Sequence, residues 1–134
     1  MALVAWSDSF LIGVDAVDRQ HRHLVDILNR LHEAMQLGGK PHDVSRVLTD
    51  LVNYTRYHFS TEESLMRDSN YPGYEEHARK HQAMVAKADE FSGEVMAGKA
   101  SATLRLMPFL KDWLGKHILE TDMRFGEYVN RRAA

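Results

Sequence analysis

The chain has no cysteine, and only three prolines and eight glycines among its 134 residues. Without cysteine there is no disulfide, no cysteine-ligated iron–sulfur cluster and no thiol nucleophile, although the compartment stays open. So few helix breakers leave room for long helices. No apolar run is long enough to span a membrane. The N-terminus, Met1-Ala2-Leu3-Val4-Ala5-Trp6-Ser7-Asp8, lacks the basic-then-apolar order of a secretory signal, so cytoplasm is the expected location. The formal net charge is only −2. That balance makes no basic footprint for nucleic acid, and Arg131-Arg132 reads as a solvated tail.

What is present is ordinary in bulk. Hydrophobic residues make up 44% and charged residues 27%, which suits a soluble globular protein with one domain and one core. The information lies in the periodicity. Residues 1–14, with Trp6, Phe10, Leu11 and Ile12, form an apolar arm that Gly13 allows to bend, and Trp6 reads as its packing anchor. Asp15 reads as an N-cap, with Asp18 in the place of a capping-box acid. A helical stripe then runs through Val17, Gln20, His21, Leu24, Leu28, Leu31 and Met35 until Gly38-Gly39. Pro41 opens a second helix, whose stripe is Val44, Val47 or Leu48, Leu51, Thr55, His58, Phe59, Glu62 and Met66, before the breaker Tyr71-Pro72-Gly73.

A third helix carries His77 or Ala78, His81, Met84 or Val85, Ala88, Phe91 and Val95, and Gly98 stops it. Ser101 is placed to cap a fourth, with Leu104, Met107, Leu110, Leu114, His117, Thr121 or Asp122, and Phe125 turned inward. Pro108 either kinks that helix, the expectation adopted here, or marks the start of its regular part near Met107. Helices are thus expected at about 16–37, 41–69, 74–97 and 101–129, joined by about four residues each. Short connections favour antiparallel neighbours. The fold expected is an all-α, up-down-up-down four-helix bundle with an N-terminal arm.

The alternating direction of the helices then places the chemistry. His21 lies near the start of the first helix, and His58 and Glu62 near the end of the second. His77 and His81 lie at the start of the third, and His117 and Asp122 near the end of the fourth. At about 1.5 Å per residue, all seven fall in one layer of order 10 Å at the same end of the bundle. His58 and Glu62, and His77 and His81, are also i,i+4 pairs that share a face. His117 and Asp122 are five apart, a rotation of about 500° that leaves them some 140° out of line. A local π-bulge would bring them together. His23 falls off the first stripe and His32 lies at its edge; with His42 they read as surface residues.

Five imidazoles and two carboxylates buried together need a partner, which metal ions supply. Seven donors exceed what one first-row ion takes from protein. Two ions bridged by Glu62 and Asp122 would use them well, with three imidazoles on one and two on the other. A solvent-derived bridge would leave the second ion one open position. Imidazole with carboxylate suits iron, and zinc, copper or nickel less distinctively.

The ordered set Asp18-Arg19-Gln20-His21, His58-Phe59-x-x-Glu62-Glu63, His77-x-x-x-His81 and Trp113-Leu114-x-x-His117-Ile118-x-x-x-Asp122 resembles the bacterial hemerythrins over almost the whole chain. Trp6 and Gly13-Val14-Asp15 fit the same pattern. The resemblance implies reversible dioxygen binding, as a carrier, store or sensor and without catalysis, at a non-heme site of two iron ions (ferrous or ferric) with a bridging oxo or hydroxo group. It puts His77, His81 and His117 on the first iron, His21 and His58 on the second, and Glu62 and Asp122 across both. Leu24, Leu114 and Ile118 are candidate walls of a dry oxygen pocket. Gln20, Tyr54 and Glu63 are candidate partners of the imidazoles. Dioxygen is the expected partner, with no membrane or nucleic acid, and a monomer is expected. Two other classes compete: a di-iron oxidase, peroxidase or nitric oxide scavenger using the same site, and a bundle that holds zinc or iron for structure or storage.

Overall fold

The computed structural model describes residues 3–38 and 40–133. Its elements are a 3-10 turn at Asp8–Phe10, α1 (Asp15–Gln36), α2 (Pro41–Asp68), α3 (Tyr74–Met96), α4 (Ala100–Lys116), a π-helical turn at His117–Asp122, and α5 (Met123–Ala133). The last three follow without interruption and make the fourth rod of an antiparallel four-helix bundle. No helix among the described residues is long and apolar enough to cross a membrane.

Each helix buries most of the stripe its periodicity marks. Leu24, Leu28 and Leu31 of α1 meet Val44, Leu48 and Leu51 of α2, with Met84, Ala88 and Phe91 of α3 and Leu106 and Leu110 of α4. Fully buried side chains such as Leu28, Leu31, Leu48 and Leu106 each contribute about 1.5–3 kcal/mol over exposure. This apolar layer occupies one side of the polar cluster. On the other side lie Ile12, Val17, Met66 and Phe125, also buried. Val17 is one turn before His21, Met66 one turn after Glu62, and Phe125 one turn after Asp122. The polar layer is therefore sandwiched between two apolar ones.

Three local expectations give way to other arrangements. Asp15 is the first residue of α1, with Val14 in the capping position and no side-chain cap. Asp18 instead reaches back to the arm, accepting from the N–H of Ile12 at 2.8 Å and of Gly13 at 3.1 Å. In α4 the helix begins at Ala100, so Ser101 lies inside it and the late start near Met107 is excluded; the helix continues through Pro108. Leu104 is 78% exposed, while Ala102 and Leu106 are buried in its place. Two residues on a helix are about 200° apart, so Leu104 and Leu106 cannot share a face. Gly39, expected to help end α1, lies outside the described residues.

The arm crosses the bundle as an ordered strap. Asn29 brackets Val4 with hydrogen bonds to its N–H (2.9 Å) and carbonyl (2.8 Å). Trp6 is half-buried, packs on Phe10 at 5.3 Å between ring centroids and lies under the Arg22 guanidinium. The chain bends at Gly13, whose φ of +87° favours glycine. Ile12 then lies so close to α5 that a Cβ at Gly126 would strike the Ile12 carbonyl. Asn130 donates to that same carbonyl at 3.2 Å.

Candidate metal centre

The seven side chains converge. His21 and Asp122, from α1 and the π turn, meet at 2.7 Å. Glu62 of α2 lies 3.1 Å from His58 Nε2 at Oε2, and 2.5 Å from His77 Nε2 and 3.3 Å from His81 Nε2 at Oε1. Asp122 Oδ1 faces both His77 and His117 at 2.9 Å, while its Oδ2 faces His21. None of the seven is more than 4% exposed.

The carboxylates divide their oxygens in one sense. Glu62 Oε1 and Asp122 Oδ1 face His77 and His117, and Oε1 also faces His81; Glu62 Oε2 faces His21 and His58, and Asp122 Oδ2 faces His21. Ligand atoms of Glu62, His77, His81, His117 and Asp122 form one group within 4.8 Å of one another, and those of His21, His58, Glu62 and Asp122 form another. Two acids thus belong to both groups, with three imidazoles in one and two in the other.

Outer hydrogen bonds turn two of the five imidazoles, those of His58 and His81, inward. Thr61 Oγ1 donates to the Tyr57 carbonyl at 3.2 Å and so accepts from Gln20 Nε2, also at 3.2 Å. That orients the Gln20 amide oxygen toward His58 Nδ1, 2.8 Å away, which must carry the proton. His58 Nε2 is then a bare lone pair aimed at the site. His81 Nδ1 likewise lies 2.8 Å from Glu63 Oε2 and donates to it. Of the three candidate partners, Gln20 and Glu63 take this role. Tyr54 does not: it packs beside His23 and Tyr57. Aromatic faces add support, since Phe59 stacks on His81 at 3.7 Å and Trp113 on His117 at 4.5 Å. The stacking could not be read from spacing, although both aromatic residues lie within one turn of a histidine.

The donor set fits a pair of cations. Among the described residues, His21 Nε2, His58 Nε2, His77 Nε2 and both oxygens of Glu62 and Asp122 are buried without a hydrogen bond of proper geometry. Leaving so many buried polar atoms unsatisfied costs about 1–3 kcal/mol each. His81 Nε2 and His117 Nε2 face each other at 3.1 Å. With its Nδ1 proton given to Glu63, His81 turns a lone pair toward His117 Nε2, and a cation in front of both nitrogens, displacing the proton between them, would be held by both.

Electrostatics agree. Burial pushes the Glu62 and Asp122 carboxyls up, and for Asp122 the neighbouring Glu62 adds to it. The facing imidazoles outweigh this, holding Glu62 well below the carboxylate range and Asp122 at about 2. Burial pushes the His117 imidazole down, but Asp122 and Glu62 raise it to about 9. His58 is lowered, because burial there exceeds the pull of Glu62.

Beside the centre is a small apolar cavity of about 20 Å³ lined by Leu24, Leu28, Leu51, Thr55, Met84, Leu110, Trp113 and Leu114. Leu24 and Leu114 line this cavity. Ile118 is fully buried but does not line it. His23 and His42 are exposed and His32 half-buried, all apart from the cluster.

Comparison with known proteins places this geometry. The hemerythrin HHE cation binding domain matches residues 12–129. The bacteriohemerythrin of Stenotrophomonas maltophilia is 37% identical over 130 residues, covering 96% of this chain and 83% of that one. The bacteriohemerythrin of Methylococcus capsulatus is 29% identical, covering 94% and 96%. Hemerythrin subunit 2 of Golfingia vulgaris is 30% identical, covering 90% and 88%. A crystal structure of wild-type hemerythrin superposes with a TM-score of 0.83 at 27% identity, covering 94% of this chain and 97% of that one. With the family match spanning most of the sequence and the fold shared end to end, the chain belongs to the hemerythrin HHE cation-binding family.

Proposed function

We propose that this protein binds dioxygen reversibly at a di-iron centre, as a carrier or store. His77, His81 and His117 would hold one iron, His21 and His58 the other, and Glu62 and Asp122 would bridge them. The observation that carries the reading is the split of the two carboxylates between a three-imidazole and a two-imidazole group. An unequal split gives one ion fewer protein ligands, and so a position for an exogenous ligand. Iron at such a site supplies reversible electron exchange with dioxygen.

The residues favour binding over oxidation. Oxygen-activating di-iron bundles use four acids with two histidines, and extra anionic ligands favour higher oxidation states. Here two acids are set among five imidazoles. The cavity lining contains no acid or base. Its one hydroxyl, on Thr55, is tied to the Leu51 carbonyl at 2.7 Å. Protons needed for irreversible reduction therefore have no donor there, and Leu24, Leu28, Leu51 and Leu114 exclude water.

Iron content per chain and the visible spectrum of the reduced protein before and after air test the reading. Two irons and a charge-transfer band that fades on removing oxygen are expected. Two irons with immediate, irreversible oxidation would move the function to oxidase or peroxidase chemistry. Absence of iron would overturn the di-iron reading.

A further inference from the structure

The two imidazole groups rest on unlike supports. Behind the three-imidazole group, His81 Nδ1 donates to a carboxylate, Glu63 Oε2, at 2.8 Å. Behind the two-imidazole group, His58 Nδ1 donates to a neutral amide, Gln20 Oε1, also at 2.8 Å. Gln20 is buried at 8% exposure; the Glu63 side chain is 25% exposed, on a groove of about 520 Å³ between α2 and α3. Two arginines line that groove without neutralising Glu63. Arg56 pairs with Asp89 at 2.6 Å and Arg67 donates to the Tyr74 hydroxyl at 3.0 Å. Among the described residues, the ion-pair partner of Glu63 is His81 itself.

A charged acceptor makes a stronger hydrogen bond than a neutral one and raises the basicity of the imidazole that donates to it. A more basic ligand favours the more highly charged ion. We infer that Glu63 and Gln20 are positioning residues that make the two iron positions electrically unequal, so that the position held by His77, His81 and His117 is oxidised first and reduced last. The step is a single electron leaving a ferrous ion for an outer-sphere acceptor such as ferricyanide, with no atom transferred. The inference rests on the di-iron reading and deepens it by assigning an order to the two positions.

The test uses the two-iron protein, anaerobic, in wild-type, Glu63→Gln and Gln20→Glu forms. Glutamine at 63 can still accept from His81, so it keeps the ring in place while removing the charge. Potentiometric titration of Glu63→Gln is expected to make the first one-electron oxidation about tenfold less favourable, or ~59 mV for a one-electron couple. Gln20→Glu is expected to narrow the gap between the first and second steps. Mössbauer spectra of the half-oxidised wild type are expected to show one localised ferric ion. In zinc-loaded protein, which needs no iron, the ¹⁵N resonance of His81 Nδ1 is expected to move in Glu63→Gln while that of His58 stays. A two-iron Glu63→Gln protein with an unchanged first potential, or an unmoved His81 resonance, overturns this inference alone. A wild type that takes up no iron overturns the di-iron reading and this inference with it.

Discussion

His117 and Asp122 stand five positions apart, yet His117 Nε2 lies 2.9 Å from Asp122 Oδ1. A regular α-helix would turn them some 140° away from each other. The π turn at His117–Asp122 takes up the extra residue and returns both side chains to one face. It also restores Phe125 and Gly126 to the core side, where the arm docks.

The π turn should therefore tolerate a shortening that α4 does not. Deleting the exposed Glu120 lets the segment wind as ordinary α-helix with His and Asp four apart, still facing the same way. Deleting the exposed Lys111 rotates His117 by about 100° against Leu110 and Leu106. The Glu120 deletion is expected to keep its helical circular dichroism and bound iron, and the Lys111 deletion to lose iron. Equal iron in the two proteins would refute this account.

Substitution separates the five converging histidines from the other three. His81→Ala takes away a nitrogen facing both Glu62 and His117. Iron is expected to fall to one per chain or none, with a lower melting temperature, because metal binding adds to folding free energy. His23→Ala, at an exposed position, is expected to keep full iron and the same melting temperature. Inductively coupled plasma analysis and thermal denaturation read both.

The arm gives a stability test away from the metal. Gly126→Ala places a methyl group against the Ile12 carbonyl, so the strap must move off α5. A loss of about 1–3 kcal/mol is expected, as for other overpacked sites. Iron content should be retained, since Gly126 is not among the converging donors. Urea denaturation of the loaded protein measures the change.

Proton release should accompany metal uptake. Burial lowers the His117 pKa, but Asp122 and Glu62 raise it to about 9 against an ordinary 6.5. A raised value stabilises the metal-free fold fully below pH 6.5, and this contribution is lost as pH rises through about 9. At pH 7 the metal-free protein thus holds a proton that a metal must displace. Titration calorimetry with zinc in two buffers of different ionisation enthalpy is expected to show net release at pH 7, less above pH 9. A heat independent of buffer would contradict it.

Much of this protein is legible in its residues. The stripes through His21, His58, Glu62, His77 and His81 follow from a period of 3.6, and short connections bring them to one end of a bundle. The misalignment of His117 and Asp122 announces an irregular turn, because rotation per residue is a local property of the backbone.

Other features depended on groups distant in the chain. The division of Glu62 and Asp122 oxygens between two imidazole groups requires the rotation of four helices about their axes. The choice of Gln20 and Glu63, and not Tyr54, as partners of His58 and His81 depends on contacts across α1, α2 and α3. Asp18 binds the arm because Ile12 and Gly13 are already held near α5, a contact no local pattern records. Leu104 faces solvent and Leu106 the core because neighbouring helices, not apolar content, decide which side of α4 is covered. Sequence by itself determined which residues share a face and an end. Tertiary structure decided which atoms meet, because hydrogen-bond geometry is set within a few tenths of an ångström by packing between elements.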